Sequence, residues 1–385
     1  MSKILFISHC APPAPFGPST LFRRLFKYFS PDSYVVMTSK YGPGETDNNG
    51  RLPCKYYYAG ESIFRNYTRW SSVREWLDVV GMVARGLSVI KKEKITALLT
   101  HPTSGNFLLA SYILHRLTGL PLYVYILDLY TASQTYRIRK LMSAPIEKAV
   151  MKASKKVFVM SETLKDHYDG KYNIDTALLR HPVELPSDNP APVLKNAEKK
   201  IHKKKTVVFT GMIYEAQMDA LRNLAAAVKG MQGVELHIYS QRTTAKLLSL
   251  GLSGADVVHH GFVEASKMPG VQREADVLFL PMAFESPYPE IIRTASPGKL
   301  PEYLISRTPV LVHAPQDAYI AWYARKYGWG FVVDKPDPGL LREALSGIMR
   351  DGALRDRLIE NALNTARLHE ASKVADALKK GLGLI

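Results

Sequence analysis

Short apolar runs recur along this chain, separated by longer amphipathic stretches. No other feature limits its fold so strongly. In the first half the runs fall at Lys3–Ser8, Tyr34–Thr38, Ala97–Thr100, Leu122–Leu127 and Lys156–Met160. Between them, Leu21, Phe22, Leu25, Phe26 and Phe29 share one helical face, with Arg23, Arg24 and Lys27 opposite. Val73, Trp76, Leu77, Val80, Val83, Leu87 and Ile90 repeat with helical spacing too. Strands alternating with helices specify a parallel sheet covered on both faces.

The pattern stops and restarts. His181 to Lys205 carries four prolines and the basic run Lys199–Lys205, a linker composition. Strand candidates then resume at Thr206–Thr210, Val234–Tyr239, Val257–His260, Val277–Pro281, Val310–His313 and Gly330–Val333. The expectation is an α/β chain of two Rossmann-like domains facing across a cleft. The first spans 1–185, a linker 186–205, the second 206–365, and a C-terminal helix over 366–385 packs back on the first domain. A length of 385 residues, 46% of them hydrophobic, suffices for two cores.

Charge and cysteines narrow the function classes. Lys and Arg number 51 against 35 acids, a net charge of +16, of which +10 falls in residues 1–190. Such a surface favours anionic partners. No apolar run approaches the roughly 20 residues of a membrane span. The segment Ile4–Ser8 reads as a buried strand rather than a signal peptide. Two cysteines, Cys10 and Cys54, make neither a disulfide framework nor a four-ligand zinc site, which suits a reducing cytoplasm. No P-loop, dinucleotide glycine fingerprint, zinc-protease motif or Asp-x-Asp is present, so no cofactor and no metal are expected.

In open α/β sheets ligands sit at the carboxyl ends of strands. The residues placed there are therefore the candidates. Gly17 lies in the loop Ala14–Thr20 after the first strand, where Ser19 or Thr20 can cap the following helix. His101 and Asp128 each follow a strand, and Asp128 is suited to accept a hydroxyl proton or orient an acceptor. In the second half, Gly211 and the turn His260-Gly261-Phe262 present backbone to a ligand.

The segment Ala295-Ser296-Pro297-Gly298-Lys299-Leu300-Pro301-Glu302-Tyr303-Leu304 is the most informative. It reads as a helix N-terminus with Ser296 as cap and Pro297 in the first turn. Free N–H groups there attract an anion. A lysine at a helix start opposes the macrodipole unless an anion is bound. Lys299 with Glu302 thus suits a phosphate beside a ribose diol, the chemistry of a nucleotide sugar.

At this point the chain resembles family-4 retaining glycosyltransferases of the GT-B architecture. The likeness rests on Val207–Gly211, His260–Val263, Ala275–Pro281 and Lys299–Leu304 with Thr308–Val310. It implies a donor held by the second domain and an acceptor by the first. Glu302 would bind the ribose, Gly298 and Lys299 the diphosphate or sugar, and Gly261 and Phe262 the base. The family pattern breaks at Thr294, where a first glutamate is usual. It breaks also at Met212 and Gln217, where Arg and Lys are usual, and at Leu127, where His is usual. Arg293, Arg242 or Lys299 must then supply charge, with Glu285 or Glu290 as the substitute for the glutamate from a longer loop.

The resulting expectation is hexose transfer from a UDP-type donor to a lipid-linked or cell-surface glycan, with His101, Asp128 and Lys299 catalytic and Gly17, Gly211, Gly261, Phe262, Gly298, Lys299 and Glu302 at the donor. The basic helices Leu21–Phe29 and Trp70–Lys94 suggest an anionic membrane surface, and the location expected is the inner face of the cytoplasmic membrane. A nucleotide-sugar epimerase and a non-catalytic donor-binding subunit remain alternatives. A nucleic-acid partner is not expected, because the basic residues are scattered and no aromatic RNA motif occurs.

Overall fold

The computed structural model describes residues 2–14, 17–39, 50–59, 71–102, 105–134, 137–185 and 204–385, with backbone alone for 71–77, 105 and 137–139. Pro15, Phe16, Trp70 and the linker residues 186–203 lie outside the described residues, as do the side chains of Val73, Trp76 and Leu77.

The chain forms two compact units, Met1–Glu184 with Ala371–Ile385, and Leu185–Glu370. The first runs β1 (Ile4–Ile7), α1 (Gly17–Phe26), β2 (Tyr34–Thr38), β3 (Tyr56–Tyr58), α2 (Ser71–Glu93), β4 (Ala97–Thr100), α3 (Gly105–Thr118), β5 (Leu122–Ile126), α4 (Arg137–Ala153), β6 (Lys156–Val159), α5 (Glu162–Tyr172) and β7 (Ala177–Leu178). The second runs β8 (Lys205–Thr210), α6 (Met218–Val228), β9 (Val234–Tyr239), α7 (Thr244–Ser249), β10 (Val257–Gly261), α8 (Met268–Glu274), β11 (Val277–Pro281), α9 (Pro289–Thr294), α10 (Leu300–Ile305), β12 (Val310–His313), α11 (Tyr319–Tyr327), β13 (Gly330–Val333), α12 (Pro338–Arg350) and α13 (Gly352–Ala366). The last helix, α14 (Ala371–Leu382), packs on α1 in the first unit. It begins at Ala371 rather than at residue 366, because a 3-10 turn over Arg367–His369 intervenes.

Among the described residues, all strand pairs are parallel. The first sheet has the order β3-β2-β1-β4-β5-β6-β7 and the second β10-β9-β8-β11-β12-β13. Each unit is Rossmann-like. In each, the chain first builds outward on one side of its opening strand and then crosses to the other. That reversal leaves a crevice at the carboxyl ends of β1 and β4, and another at those of β8 and β11. Central strands such as β1, β5 and β11 are buried along their whole length. Covering on both faces explains why they read as unbroken apolar runs rather than as alternation.

Two helices differ from expectation. Leu21, Phe22, Leu25, Phe26 and Phe29 are all buried in the core of the first unit. Helix α1 therefore cannot rest on a bilayer through that face. On α2 the expected Val83 and Ile90 pack against the core beside Val79, Met82 and Val89, while Val80 and Leu87 are exposed. Gly86 marks the closest approach to α3: a Cβ there would stand 2.5 Å from Leu114 Cδ1. Its absence lets α2 lie close on α3 along that line.

No described helix is long and apolar enough to cross a membrane.

Candidate active site

The densest cluster of candidates lies in the second unit, at the end of β8. The β8–β9 ladder runs on to Gly211, whose N–H donates to Tyr239 O at 2.8 Å. Gly211 has φ +112°, a conformation that side-chain-bearing residues avoid. Lys299 lies directly beside it: a Cβ on Gly211 would be in ordinary contact with Lys299 Nζ, 3.5 Å away. The ammonium sits 3.8 Å above the Phe209 ring, a cation–π contact. Nζ is enclosed and has no hydrogen-bond acceptor. Burial pulls its pKa down to about 7, against the raising effect of the Glu302 carboxylate. An enclosed cation without an acceptor is costly unless a ligand supplies one.

Tyr303 fixes this arrangement. It is fully buried, and its hydroxyl oxygen accepts from Thr210 N–H at 3.1 Å and lies 3.1 Å from Thr210 Oγ1. The start of α10 is thereby pinned to the end of β8, with Lys299 and Glu302 alongside. Glu302 is half-buried in the first turn of α10, and Gly298 is exposed in the turn before it.

The helix itself departs from expectation. It starts at Leu300, with Lys299 at the cap position and no side-chain cap; Ser296 is buried outside it, and the proline of its first turn is Pro301. Pro297 O instead accepts from Leu300 N–H at 2.9 Å, closing a turn that delays the helix. At six residues, α10 lends little weight to the macrodipole argument, which leaves the Lys299 charge as the main attraction for an anion.

Two other expected sources of charge are engaged. Arg293 Nε donates to Asp317 Oδ2 at 2.6 Å. Arg242 is exposed, with Nε directed to Ile213 O at 3.4 Å. Thr294, at the place of the usual first glutamate, returns its hydroxyl to Glu290 O at 2.9 Å. The loop after β11 is held instead by Asp219, whose Oδ2 accepts from the N–H groups of Phe284 and Glu285 at 2.8 and 2.7 Å.

Two strands out from β8, β10 ends at Gly261 with φ +67° and a register shift after His259. Phe262 follows, 67% exposed. His260 stacks on Tyr239 with ring centroids 4.1 Å apart and planes 4° from parallel. Its Nε2 lies 3.1 Å from His237 Nδ1, and His237 Nε2 lies 3.2 Å from Glu235 Oε2. The carboxylate accepts from His237 Nε2–H, leaving Nδ1 to accept from His260 Nε2–H. Burial, with the His237 and His259 rings nearby, lowers the pKa of His260. This stack offers a flat aromatic surface beside the β10 turn.

The first-unit candidates are placed separately. His101 is buried at the end of β4, against Phe22. Its Nδ1 lies 3.0 Å from Tyr125 O and so carries the proton. Burial holds its pKa down to about 4, so the ring is neutral, and its Nε2 is enclosed without a partner. Asp128 follows β5 and is open to solvent on one side, yet the surrounding protein displaces enough water to raise its carboxyl to about 6. Gly17 opens α1, exposed and with free space around it.

The loop that carries Asp128 is anchored by a residue that sequence reasoning missed. Glu147 of α4 accepts from Tyr168 Oη at 2.7 Å, Tyr172 Oη at 2.6 Å, Thr131 Oγ1 at 2.7 Å and Lys171 Nζ at 3.0 Å. Burial would raise its pKa, but these donors outweigh that and lower it. Tyr168 Oη also accepts from Tyr130 N–H at 3.3 Å. Among the described residues, no group of three or more His, Cys, Asp or Glu is placed to hold a metal ion.

No protein-family model matches the chain, and no curated protein matches it in sequence. Solved structures do match it in fold. Sucrose-phosphate synthase from Thermosynechococcus elongatus superposes with a TM-score of 0.74 at 15% identity, covering 99% of this chain and 98% of the other. HepE from Anabaena, in complex with UDP and glucose, gives 0.71 at 14% identity, with both chains covered completely. A Listeria monocytogenes protein assigned as a UDP-N-acetylglucosamine 2-epimerase gives 0.59 at 12%, covering 100% of this chain and 98% of that one. Identities this low carry the fold alone, and that fold, two Rossmann-like domains of parallel sheet, is the GT-B architecture of the glycosyltransferases among these neighbours.

Proposed function

We propose that the chain is a retaining, metal-independent glycosyltransferase. It moves a hexose from a UDP-sugar to a hydroxyl of a lipid-linked or cell-surface glycan. The observation that carries this reading is Lys299: an enclosed ammonium over Phe209, without an acceptor, beside Gly211 and one turn from Glu302. A diphosphate supplies the missing acceptor oxygens, and Glu302 suits the two ribose hydroxyls. The Tyr239–His260 stack and Phe262 suit the base.

Breaking the bond from the anomeric carbon to the donor oxygen leaves negative charge on the diphosphate. A positioned ammonium stabilises that charge as it develops. The acceptor oxygen forms the new bond on the same face, and its proton passes to the departing phosphate. Asp128, with its raised carboxyl, orients the acceptor hydroxyl.

Thermal unfolding with a panel of nucleotides tests the donor. UDP and UDP-sugars are expected to raise the midpoint and GDP and ADP to leave it unchanged. A panel with no uridine response refutes the reading. The epimerase-like neighbour favours a second reading, distinguished by supplying donor alone. A transferase leaves the sugar unchanged or slowly hydrolysed, whereas an epimerase yields a new sugar isomer still attached to UDP.

A further inference from the structure

We infer that the outer face of α2, α3 and α4 is a docking surface for an anionic lipid bilayer. It gives the acceptor reading above a physical surface, and it rests on residues of the first unit only.

The three helices pack side by side, with α3 between α2 and α4. Their outward positions combine aliphatic side chains with cations. On α4, Leu141, Pro145, Lys148 and Lys152 follow helical spacing and are all exposed, Leu141 by 67%. Lys140 and Met142 flank that stripe and are exposed too. On α2, Val80 is 68% exposed, with Leu87 and Lys91 further along the same face. At the end of α3, Leu117 is 62% exposed beside Arg116.

Helices α3 and α4 set no exposed acid against this face. Helix α3 contains no Asp or Glu. The single acid of α4, Glu147, is buried under two tyrosines, a threonine and Lys171. Glu93, at the end of α2, is buried and bridges Lys3 at 2.7 Å and Lys55 at 2.9 Å. The Lys3 hydrogen bond, then that of Tyr57, holds its carboxyl down to about 2. On α4, internal pairing of its one acid leaves Lys140, Lys148 and Lys152 uncompensated on their own helix, while α2 keeps Asp78, half-buried.

The aliphatic groups select the partner. Nucleic acid is gripped by cations with stacking aromatics, and among the described residues of these three helices none of the exposed large apolar side chains is aromatic. Exposed Leu, Val and Met among lysines fit the boundary between headgroups and acyl chains. The face also adjoins the chemistry in sequence: α4 follows directly on the loop that carries Asp128. A lipid-borne acceptor held at this surface would be delivered to that loop.

Vesicle co-sedimentation of the full chain tests the inference without donor present. Binding to phosphatidylcholine–phosphatidylglycerol vesicles at low salt, weak binding to phosphatidylcholine alone, and loss at high salt are expected. Joint reversal of Lys140→Glu, Lys148→Glu and Lys152→Glu should weaken binding on the order of a hundredfold, about fivefold or more per lysine. Leu141→Ser should weaken it about tenfold at unchanged charge. The inference is overturned if the wild-type chain ignores anionic vesicles at low salt. It is overturned equally if the triple variant binds as tightly as wild type, or if the chain prefers single-stranded RNA to lipid. Each variant is checked for an unchanged melting midpoint and for its response to UDP. Loss of vesicle binding with the UDP response intact assigns the effect to this surface. Vesicle binding without any UDP response removes the donor reading alone.

Discussion

Glu147 in the first unit and Lys299 in the second are both charges withdrawn from water, and their surroundings treat them oppositely. Glu147 receives four donors, from Tyr168, Tyr172, Thr131 and Lys171. Lys299 receives no acceptor, only an aromatic face. The first charge is complete within the chain and ties a loop to two helices. The second is incomplete, and completion requires something the chain does not provide. Burial alone therefore does not distinguish a structural ion from a functional one; the count of satisfied partners does.

The sharpest way to break this contrast is to remove each charge. Glu147→Ala leaves three hydroxyls and an ammonium without their common acceptor. It is expected to cost about 3–5 kcal/mol in urea unfolding, the range for breaking a buried ion pair from one side. A loss under 1 kcal/mol would show that the cluster is not a structural keystone. Lys299→Met should do the reverse. Turnover, read as UDP release, is expected to fall about 100- to 1,000-fold, as for loss of one preorganised charge donor. Stability should hold or rise, since an unpaired buried cation is removed. Unfolding of Lys299→Met well below the wild-type midpoint would make Lys299 structural after all.

Much of this architecture is legible in the sequence, and the failures are physical. Strands buried on both faces, such as Val277–Pro281 and Val310–His313, announce themselves as apolar runs and match expectation residue for residue. The edge strands β3, three tyrosines, and β7, two residues, lack that signal, because an edge is covered less and runs short. The stripe on α2 holds at Val83 and Ile90 and fails at Val80 and Leu87, where the helix meets α3 closest at a glycine, Gly86, that apolar spacing does not reveal. At the site, Gly211, Lys299 and Glu302 are readable from position after a strand and before a helix. Phe209 and Tyr303 are not, since they look like ordinary core residues until their partners in space are known. His101 shows what position alone does not tell: it follows a strand as expected, but its Nδ1 turns to Tyr125 O while its Nε2 is enclosed without a partner.

Tyr303→Phe examines how tightly the incomplete charge is positioned. The substitution removes a hydroxyl and strands the buried N–H of Thr210, at a cost of about 1–3 kcal/mol. If Tyr303 holds α10 against β8, the donor KM should rise while the UDP-glucose-independent fold survives at lower temperature. An unchanged KM would confine Tyr303 to stability.

The gentlest probe alters no residue at all. Burial lowers the Lys299 pKa from 10.5 to about 7. Between these values the unfolded chain holds a proton that the folded chain has released, so the Lys299 contribution to stability rises with pH across that window and is least favourable below about 7. Ligand binding runs the other way. A bound diphosphate favours the ammonium, so above pH 7 binding must take up a proton. UDP-glucose, whose diphosphate does not titrate in this range, should lose affinity towards a limit of about tenfold per pH unit, or 1.4 kcal/mol. Calorimetry in buffers of different ionisation enthalpy should show the uptake directly. In Lys299→Met the residual affinity should be flat from pH 6 to 9. A flat wild-type profile would mean that the ammonium is not the group meeting the diphosphate, and the contrast with Glu147 would then reflect packing alone.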